Sequence, residues 1–273
     1  MTDGEPMTQK KHDPVARHPL AYKNERFLDS DDARPLRILA EYLEPLHRFE
    51  EQAVPGTVVF FGSARLAANG PLGRYYADAR ELARLYTLWS NSLPPNAPRY
   101  LICSGGGHGI MEAANRGAAD AGGRTIGLNI SLPEEQSAND FITPELSFEF
   151  HYFFMRKLWF AHLARAVVVF LGGFGTIDEM SEILTLSQTS KLEGRMTVIL
   201  YGQEYWREVI NFDALVKHGM ISADDLTLFT FANTPHEALD FLRQGITGKK
   251  QEAASAYAKN RSSTDYLYQR SGD

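Results

Sequence analysis

Residues 100–130 read YLICSGGGHGIMEAANRGAADAGGRTIGLNI, and four features follow one another along this stretch. An apolar run at 100–103 leads into a glycine-rich turn, a helix-length segment at 108–121 and a second apolar run at 124–130. Short apolar runs bounded by glycine are typical of buried strands, and the segment between them is long enough for a helix. The stretch therefore predicts two parallel strands joined by a crossover helix.

The same alternation extends along most of the chain. Further apolar runs occupy residues 57–61, 166–171, 197–201 and 226–231. Further helix-length segments occupy residues 75–89, 178–191 and 205–217. Apolar strands that alternate with helices indicate a parallel sheet covered on both faces. We predict the α/β class, with a doubly wound, mostly parallel, Rossmann-like sheet.

Composition divides the chain into three parts. Residues 1–30 are rich in charge, proline and small polar side chains, which predicts a flexible N-terminal arm. Residues 31–248 are predicted to form a single domain, and residues 249–273 a polar C-terminal tail. A helix is expected from Asp31 onward, with a break or kink at Pro45 because proline removes a helical hydrogen bond.

Charge and cysteine content narrow the class of protein. The 28 Lys and Arg against 34 Asp and Glu give a formal net charge of −6, which disfavours a nucleic-acid coat. Cys103 is the single cysteine, so the chain has no intramolecular disulfide or cysteine-rich metal site, and its apolar strand predicts buried packing. No window approaches the roughly 20 apolar residues that span a bilayer. We predict a cytoplasmic protein without nucleic-acid or membrane partners.

Two glycine-rich segments each follow a predicted strand and open a predicted helix. They are SGGGHG at residues 104–109 and LGGFGT at residues 171–176. Free amides and the dipole at a helix start favour a bound phosphate, and both segments belong to the carboxyl edge of the sheet. Neither segment is a standard dinucleotide or triphosphate motif. Glycines that only permit tight turns are the alternative interpretation.

Three longer motifs occur in a fixed order. They are GGGHGIMEAANRGA at 105–118, FMRK at 154–157 and GGFGTIDEM at 172–180. This order and these separations resemble the LOG family of nucleoside monophosphate phosphoribohydrolases, whose pattern is GGGxxGLMxxxxxGA, a helix bearing Arg-Lys, and PGGxGTxxE. The resemblance extends over residues 57–245. It implies a nucleotide-binding catalytic domain that cleaves nucleoside 5′-monophosphates to free base and ribose 5-phosphate, without a cofactor, with cytokinin precursors among the candidate substrates.

The resemblance assigns catalytic roles to Glu179 and Arg156. Glu179 would stabilise positive charge on the sugar and activate water, and it is expected in the first helical turn after the second glycine segment. Arg156 would fix phosphate or ribose oxygens. Taken without the resemblance, Glu179 and Thr176 fit a capping box, and Arg156 with Lys157 fits a solvated helix edge.

The resemblance also assigns nine positions to substrate and phosphate binding. They are Ser63, Gly107, Gly109, Glu135, Lys157, Gly173, Gly175, Thr176 and Thr185. Three departures from the family pattern surround the expected pocket. Leu171 replaces proline, Asp178 replaces glutamate, and Phe153-Phe154 replaces the Met-His of the plant-type motif. We therefore expect a bacterial-type member that acts on ordinary purine or pyrimidine monophosphates.

Two other functions fit the same residues. A non-catalytic nucleotide sensor or carrier would keep the fold and the phosphate cleft, and a deoxyribosyltransferase-like enzyme would need an acceptor base to compete with water. The eight histidines lack metal-binding spacing, and no lysine has a convincing pyridoxal phosphate setting, so no metal or cofactor is expected. The resemblance implies a homodimer or higher homo-oligomer. The aromatic segment 148–154 suggests core packing and subunit contact, so we expect this segment or nearby helices in the interface.

Overall fold

The computed structural model describes residues 18–132, 137–189, 191 and 196–248. The chain divides into two compact units at residues 41 and 42, whereas composition placed the start of the domain at residue 31. The boundary falls inside one long helix, Arg34–Glu51, so it leaves no break in secondary structure. Residues 1–17 of the predicted arm and the tail 249–273 lie outside the described residues.

Strands and helices alternate as predicted. The strands are β1 (Thr57–Phe61), β2 (Leu101–Ser104), β3 (Thr125–Ile130), β4 (Ser147–Phe150), β5 (Ala164–Val169), β6 (Thr197–Tyr201) and β7 (Thr230–Ala232). The helices are α1 (Glu25–Leu28), α2 (Arg34–Glu51), α3 (Gly73–Ser92), α4 (Ile110–Asp120), α5 (Phe153–Leu163), α6 (Phe174–Gln188), α7 (Gln203–Val209), α8 (Phe212–Lys217) and α9 (Pro235–Gly248). Short 3-10 turns occupy Ala21–Lys23, Asp31–Ala33, Pro144–Leu146 and Asp224–Thr227.

The seven strands form one sheet in the order β4-β3-β2-β1-β5-β6-β7. Every neighbouring pair is parallel. The chain builds outward from β1 in one direction and resumes at β5 on its other side, so the topological switch point lies between these two strands. This confirms the predicted doubly wound α/β fold, and in such sheets a ligand crevice forms beyond the carboxyl ends at the switch point.

Strand β1 is buried along its whole length because helices cover both faces of the sheet. Val58 and Phe60 belong to the core cluster that includes apolar side chains of α3, α4 and α9. On the opposite face, Phe61 packs edge-on against Phe160 of α5, with ring centroids 5.0 Å apart. Each fully buried side chain of this size contributes roughly 1.5–3 kcal/mol of transfer free energy, so this packing fixes the centre of the sheet.

Three local predictions are wrong. No strand was predicted between residues 130 and 166, but residues 147–150 form β4 at the sheet edge. The apolar run 226–231 is not one strand: its first two residues end a 3-10 turn, at whose start Ser222 and Asp225 exchange hydrogen bonds, and only its last two enter β7. The single helix expected at 205–217 is two helices, because Asn211 caps a new start by accepting from the amide of Ala214 at 2.9 Å.

The break expected at Pro45 is also absent, because α2 continues through this residue. Tyr42 stacks on Trp159 with ring centroids 5.5 Å apart, and Phe49 packs on the same indole at 5.3 Å. These contacts lie about one turn on either side of Pro45, which is itself buried. We infer that aromatic packing offsets the roughly 3 kcal/mol that an internal proline costs a helix.

Part of the predicted N-terminal arm has local structure. A 3-10 turn at Ala21–Lys23 precedes α1, and the side chain of Asn24 caps α1 by accepting from the amide of Phe27 at 3.3 Å. Arg37 donates from one nitrogen to the carbonyls of Leu28 and Ser30, at 2.5 and 2.7 Å. Residues 18–30 therefore carry capped helical turns rather than an unstructured chain.

Candidate active site

The two glycine segments meet around the backbone of Ser63, which lies just beyond β1 at the switch point. The amide of Ser63 donates to the carbonyl of Leu171 at 2.9 Å, at the start of the second segment. Its carbonyl accepts from the amide of Ile110 at 3.2 Å, where the first segment enters α4. The structure thus brings Ser63 and both glycine turns together, as the sequence predicted.

The first turn has a left-handed backbone held by buried polar groups. Gly106 and Gly109 have φ values of 76° and 65°, in the region that favours glycine. The side-chain amide of Asn139 donates to the carbonyls of Gly106 and Gly107, at 2.9 and 3.0 Å. The amide of Gly106 donates to Ser104 Oγ at 3.1 Å. Internal partners therefore fix the path of the turn.

Sequence reasoning missed these supporting asparagines. Asn115 is fully buried and accepts from Ser104 Oγ at 2.6 Å and from Asn139 at 3.0 Å. Its own amide donates to the hydroxyl of Thr125 and to the carbonyl of Ile126. A polar side chain among the alanines of an otherwise apolar helix face was the available signal. Buried amides of this kind are retained when all their hydrogen bonds are satisfied.

The second turn presents open backbone at the start of α6. A Cβ at Gly172 would lie 2.1 Å from the hydroxyl oxygen of Thr176, whereas Gly173 and Gly175 have no heavy atom within 4 Å of that position. The carbonyl of Gly172 accepts from the hydroxyl of Tyr205 at 2.6 Å. Thr176 and Tyr205 therefore pack against the turn at Gly172, whereas the turn is open at Gly173 and Gly175. The first amides of α6 also have no hydrogen-bond partner within the helix.

The helix start corrects the expected place of Glu179. Helix α6 begins at Phe174 with Gly173 as its N-cap, four residues earlier than predicted. Thr176 is thus the third residue of the helix and Glu179 the sixth, in the second turn. The capping-box interpretation of Thr176 and Glu179 is wrong, because the cap is a glycine without a side chain.

Glu179 pairs with Arg156 across α5 and α6. One Arg156 Nη lies 3.3 Å from Glu179 Oε1, and the two side chains are only 12% and 14% exposed. Burial raises the pKa of Glu179 to about 7, while Arg156 opposes this shift and Asp178 adds to it. A buried pair of opposite charges at this edge of the sheet contradicts a solvated helix edge as the setting of Arg156.

Arg156 has unused hydrogen-bonding capacity. Its Nε is buried and has no hydrogen-bond partner among the described residues. The guanidinium carbon lies 5.4 and 5.7 Å from the ring centroids of Phe153 and Phe160. A Cβ at Gly105 would lie 3.7 Å from Arg156 Nη1, so the guanidinium reaches the first glycine turn. Arg156 therefore links that turn to Glu179.

Three other residues that were predicted to bind substrate are not placed at the two turns by the structure. Lys157 pairs with Asp178 at 2.5 Å and with Glu182 at 3.6 Å, so its ammonium group bridges α5 and α6. The hydroxyl of the exposed Thr185 donates to the carbonyl of Ser181 at 2.8 Å within α6. Nine residues separate Thr185 from Thr176, about 14 Å along the helix axis, so this chain does not bring Thr185 to the turns. Glu135 lies outside the described residues.

The described cysteine and histidine side chains near the candidate site show no arrangement that suggests a catalytic role. Cys103 is buried, as predicted, and burial raises the pKa of its thiol. His108 lies 3.3 Å from a carboxylate oxygen of Glu112 on the exposed side of α4. Within the described ranges, no group of three His, Cys, Asp or Glu side chains is arranged to hold a metal ion. No helix in the same ranges is long and apolar enough to cross a membrane.

A first prediction compares two left-handed glycines, Gly109 and Gly122, whose φ values are 65° and 68°. A Cβ at Gly109 would lie 2.4 Å from the carbonyl oxygen of Ser63, whereas Gly122 has nothing within 4 Å. We expect Gly122→Ala to lower the free energy of unfolding by about 1 kcal/mol through backbone strain alone. Gly109→Ala should cost about 3 kcal/mol, because contact with Ser63 adds to the strain.

Urea denaturation of the two glycine variants measures both losses. Equal losses would contradict a close approach of the first turn to Ser63.

A second prediction follows from the burial of Glu179. Its pKa rises from the ordinary 4.5 to about 7, so the folded protein holds a proton that the unfolded chain releases between these values. The stabilising effect of this proton is complete below pH 4.5 and is lost as the pH rises through about 7. From about pH 5 to pH 8, wild type should lose up to about 3 kcal/mol more stability than Glu179→Gln.

Unfolding free energies of both proteins across this pH range provide the test. Parallel pH profiles would show that the Glu179 carboxyl group is hydrated in the folded protein.

Comparisons with known proteins agree with the motifs. The family model described as "Possible lysine decarboxylase" matches residues 111–242. A protein of Oryza sativa subsp. japonica, described as a probable cytokinin riboside 5′-monophosphate phosphoribohydrolase, is 29% identical over 147 residues. That match covers 53% of this chain and 62% of the rice protein, so the chain spans less than two thirds of this relative.

A second relative and a solved structure extend the comparison. The cytokinin riboside 5′-monophosphate phosphoribohydrolase of Rhodococcoides fascians is 26% identical over 160 residues, covering 50% of this chain and 77% of that protein. The X-ray structure of TM1055, a structural genomics target, superposes with a TM-score of 0.50 at 23% identity, covering 69% of this chain and 99% of the other. The superposition supports the fold, and the family match and the sequence relatives agree with the resemblance of the ordered motifs to the LOG family.

Proposed function

We propose that this protein hydrolyses the N-glycosidic bond of nucleoside 5′-monophosphates, releasing the free base and ribose 5-phosphate. The observation that carries the proposal is the buried Glu179–Arg156 pair beside an open, glycine-lined helix start. The names of the relatives, which are phosphoribohydrolases, support the same reaction. The start of α6 can bind an anion, and the Glu179 carboxylate lies in the second turn of the same helix. This arrangement suits a substrate in which a phosphate is attached to a sugar.

The 5′-phosphate would bind at the second glycine turn. A Cβ at Gly173 or Gly175 would meet no heavy atom within 4 Å, and the first amides of α6 have no hydrogen-bond partner within the helix. Amides and the helix dipole together favour a phosphate, even in a chain with a net charge of −6. The sugar would then extend toward Glu179, in the second turn of the same helix.

Glu179 would act on the sugar as the glycosidic bond breaks. Loss of the bond from C1′ to the base nitrogen leaves oxocarbenium-like charge on the ribose, which the carboxylate stabilises. A water oxygen bonds to C1′, one of its protons passes to Glu179, and the departing base receives a proton in turn. With a pKa of about 7, Glu179 can both accept and return a proton near neutral pH.

Arg156 would orient the substrate and keep Glu179 charged. Its unpartnered Nε provides a donor for a phosphate or ribose oxygen. Its Nη group, 3.3 Å from Glu179, favours the carboxylate form that the reaction requires. Lys157 would hold α5 against α6 through Asp178 and Glu182, rather than contact the substrate directly.

The substrate range and assembly are part of the same proposal. The motifs of the site depart from the family pattern at Leu171, Asp178 and Phe153-Phe154, and of these two phenylalanines Phe153 lies against Arg156. We therefore expect ordinary purine or pyrimidine monophosphates rather than cytokinin precursors as the main substrates. Of the aromatic segment, Phe148, Phe150 and Tyr152 are buried, whereas Phe153 and Phe154 are half exposed. A cytoplasmic homodimer or higher homo-oligomer stays a prediction.

A third prediction separates the roles of the charged pair. Glu179→Gln should lower turnover of AMP by about a hundredfold or more with little loss of AMP affinity, because the carboxylate acts mainly in the transition state. Arg156→Ala should weaken both affinity and turnover, because its contacts precede bond cleavage. Steady-state kinetics and calorimetric titration measure these effects.

The pH profile adds an independent check on Glu179. Turnover by wild type should rise with pH through about 7, and Glu179→Gln should lose this rise. Full activity of Glu179→Gln would favour the alternative of a nucleotide sensor or carrier.

A fourth prediction concerns the phosphate. Nucleoside 5′-monophosphates should be cleaved and the corresponding nucleosides should not, because the amides of the second turn anchor the substrate by its phosphate. Chromatography of AMP, GMP and CMP incubations beside adenosine, guanosine and cytidine detects the released bases. Comparable cleavage of adenosine and AMP would disprove the anchor.

A further inference from the structure

Two phenylalanines at the candidate site are unusually exposed. Phe153 is the first residue of α5 and is 52% exposed, and Phe174 is the first residue of α6 and is 93% exposed. Most of the aromatic side chains along the sheet, such as Phe60 and Phe170, are completely buried. An exposed aromatic ring lacks the stabilising free energy that burial would give it. Two exposed rings at the carboxyl edge of the sheet therefore indicate a surface that binds a ligand.

The ion pair between α5 and α6 sets the positions of these two rings. Both helices begin at the carboxyl edge of a parallel sheet and run toward its amino edge, so they point the same way. Lys157 and Asp178, which pair at 2.5 Å, each lie four residues after one of the phenylalanines. Positions four apart share a helix face about 6 Å apart along the axis. Phe153 and Phe174 therefore stand one turn above the ion pair, at matching heights on neighbouring helices.

Both rings also border the proposed substrate site. The guanidinium carbon of Arg156 lies 5.4 Å from the centroid of Phe153. Phe174 stands between Gly173 and Gly175, whose surroundings are open. One ring thus adjoins the arginine and the other belongs to the phosphate turn.

We propose that Phe153 and Phe174 form two aromatic walls that receive the base of the nucleotide by stacking. The inference rests on the proposed function, because the nucleotide is placed by its phosphate at the second turn. A base is flat and apolar on both faces, so it suits exposed rings. The strength of stacking depends on the area of the base and not on the hydrogen-bonding groups at its edge. The site should therefore prefer purines to pyrimidines and should discriminate only weakly between adenine and guanine.

Equilibrium binding to the Glu179→Gln protein tests the proposal, because this variant should bind nucleotide with little turnover. In this background, Phe174→Ala should weaken AMP binding about tenfold or more, and CMP binding by a smaller factor. Binding of ribose 5-phosphate should stay within about twofold, because this ligand has no base to stack. Phe174→Trp should retain AMP affinity.

Phe154→Ala is the matched control. Phe154 is 50% exposed on the same helix as Phe153 but contacts Tyr152, with ring centroids 5.4 Å apart. Its removal should leave AMP affinity unchanged. Phe174 is the decisive position, since Phe153 also contacts Arg156.

Each of the following results would overturn the aromatic walls. The first is an equal loss of AMP and ribose 5-phosphate binding in Phe174→Ala, which would make the ring a support of the phosphate turn. The second is a change of molecular mass by light scattering in Phe174→Ala, which would assign the ring to contact with a second copy of the chain. The third is unchanged AMP affinity in Phe174→Ala, or no AMP binding by any form.

The same measurements separate this inference from the proposed function. AMP binding that depends on Phe174, with no hydrolysis by wild type, would retain the aromatic walls and reject the hydrolase. Hydrolysis of AMP that is indifferent to Phe174 would do the reverse.

Discussion

The peptide group of Ser63 is the point on which the arrangement of the site depends. Its amide and carbonyl hydrogen-bond to the two glycine turns, which are more than 60 residues apart in sequence. Because Ser63 follows the central strand, these bonds tie both turns to the most buried part of the sheet. Parallel strands end at one edge, and the reversal of strand order between β1 and β5 places both turns at the switch point, where sheets of this kind bind ligands. The second turn then starts α6, whereas α5 begins just after β4, the strand at the edge of the sheet.

Burial of the Glu179–Arg156 pair has an electrostatic cost. Removing two charges from water is expensive, and their attraction offsets this only in part, which is why the pKa of Glu179 rises to about 7. The buried Nε of Arg156 has no hydrogen-bond partner among the described residues, which adds a second energetic cost at the same position. Stability alone would favour charged side chains that have all their hydrogen bonds satisfied or that remain in water. Such a concentration of strained electrostatics is typical of functional sites.

The central strands were predictable because their signal is local. A run such as TVVFF at 57–61 is apolar at every position and is followed by glycine, which suits only a strand covered on both faces. The prediction was wrong where contacts from elsewhere outweigh the local pattern. Pro45 should break α2, but Tyr42 and Phe49 hold the helix against Trp159, more than 100 residues away. Asn115 and Asn139 were overlooked because a buried hydrogen-bond network has no sequence period.

The sequence by itself determined the alternation of the central strands with helices, the two glycine turns and, through motif resemblance, the prediction that Glu179 and Arg156 act in the site. Tertiary structure decided that α6 starts at Phe174 with Gly173 as its N-cap, so that Glu179 lies in the second turn and cannot complete a capping box. It also decided that Lys157 is held by two carboxylates and that Thr185 lies far along the helix. The physical reason is the range of the forces involved. Backbone preference and apolar periodicity act between near neighbours, whereas burial, ion pairing and the pKa of Glu179 depend on groups that only the folded sheet brings within a few ångströms.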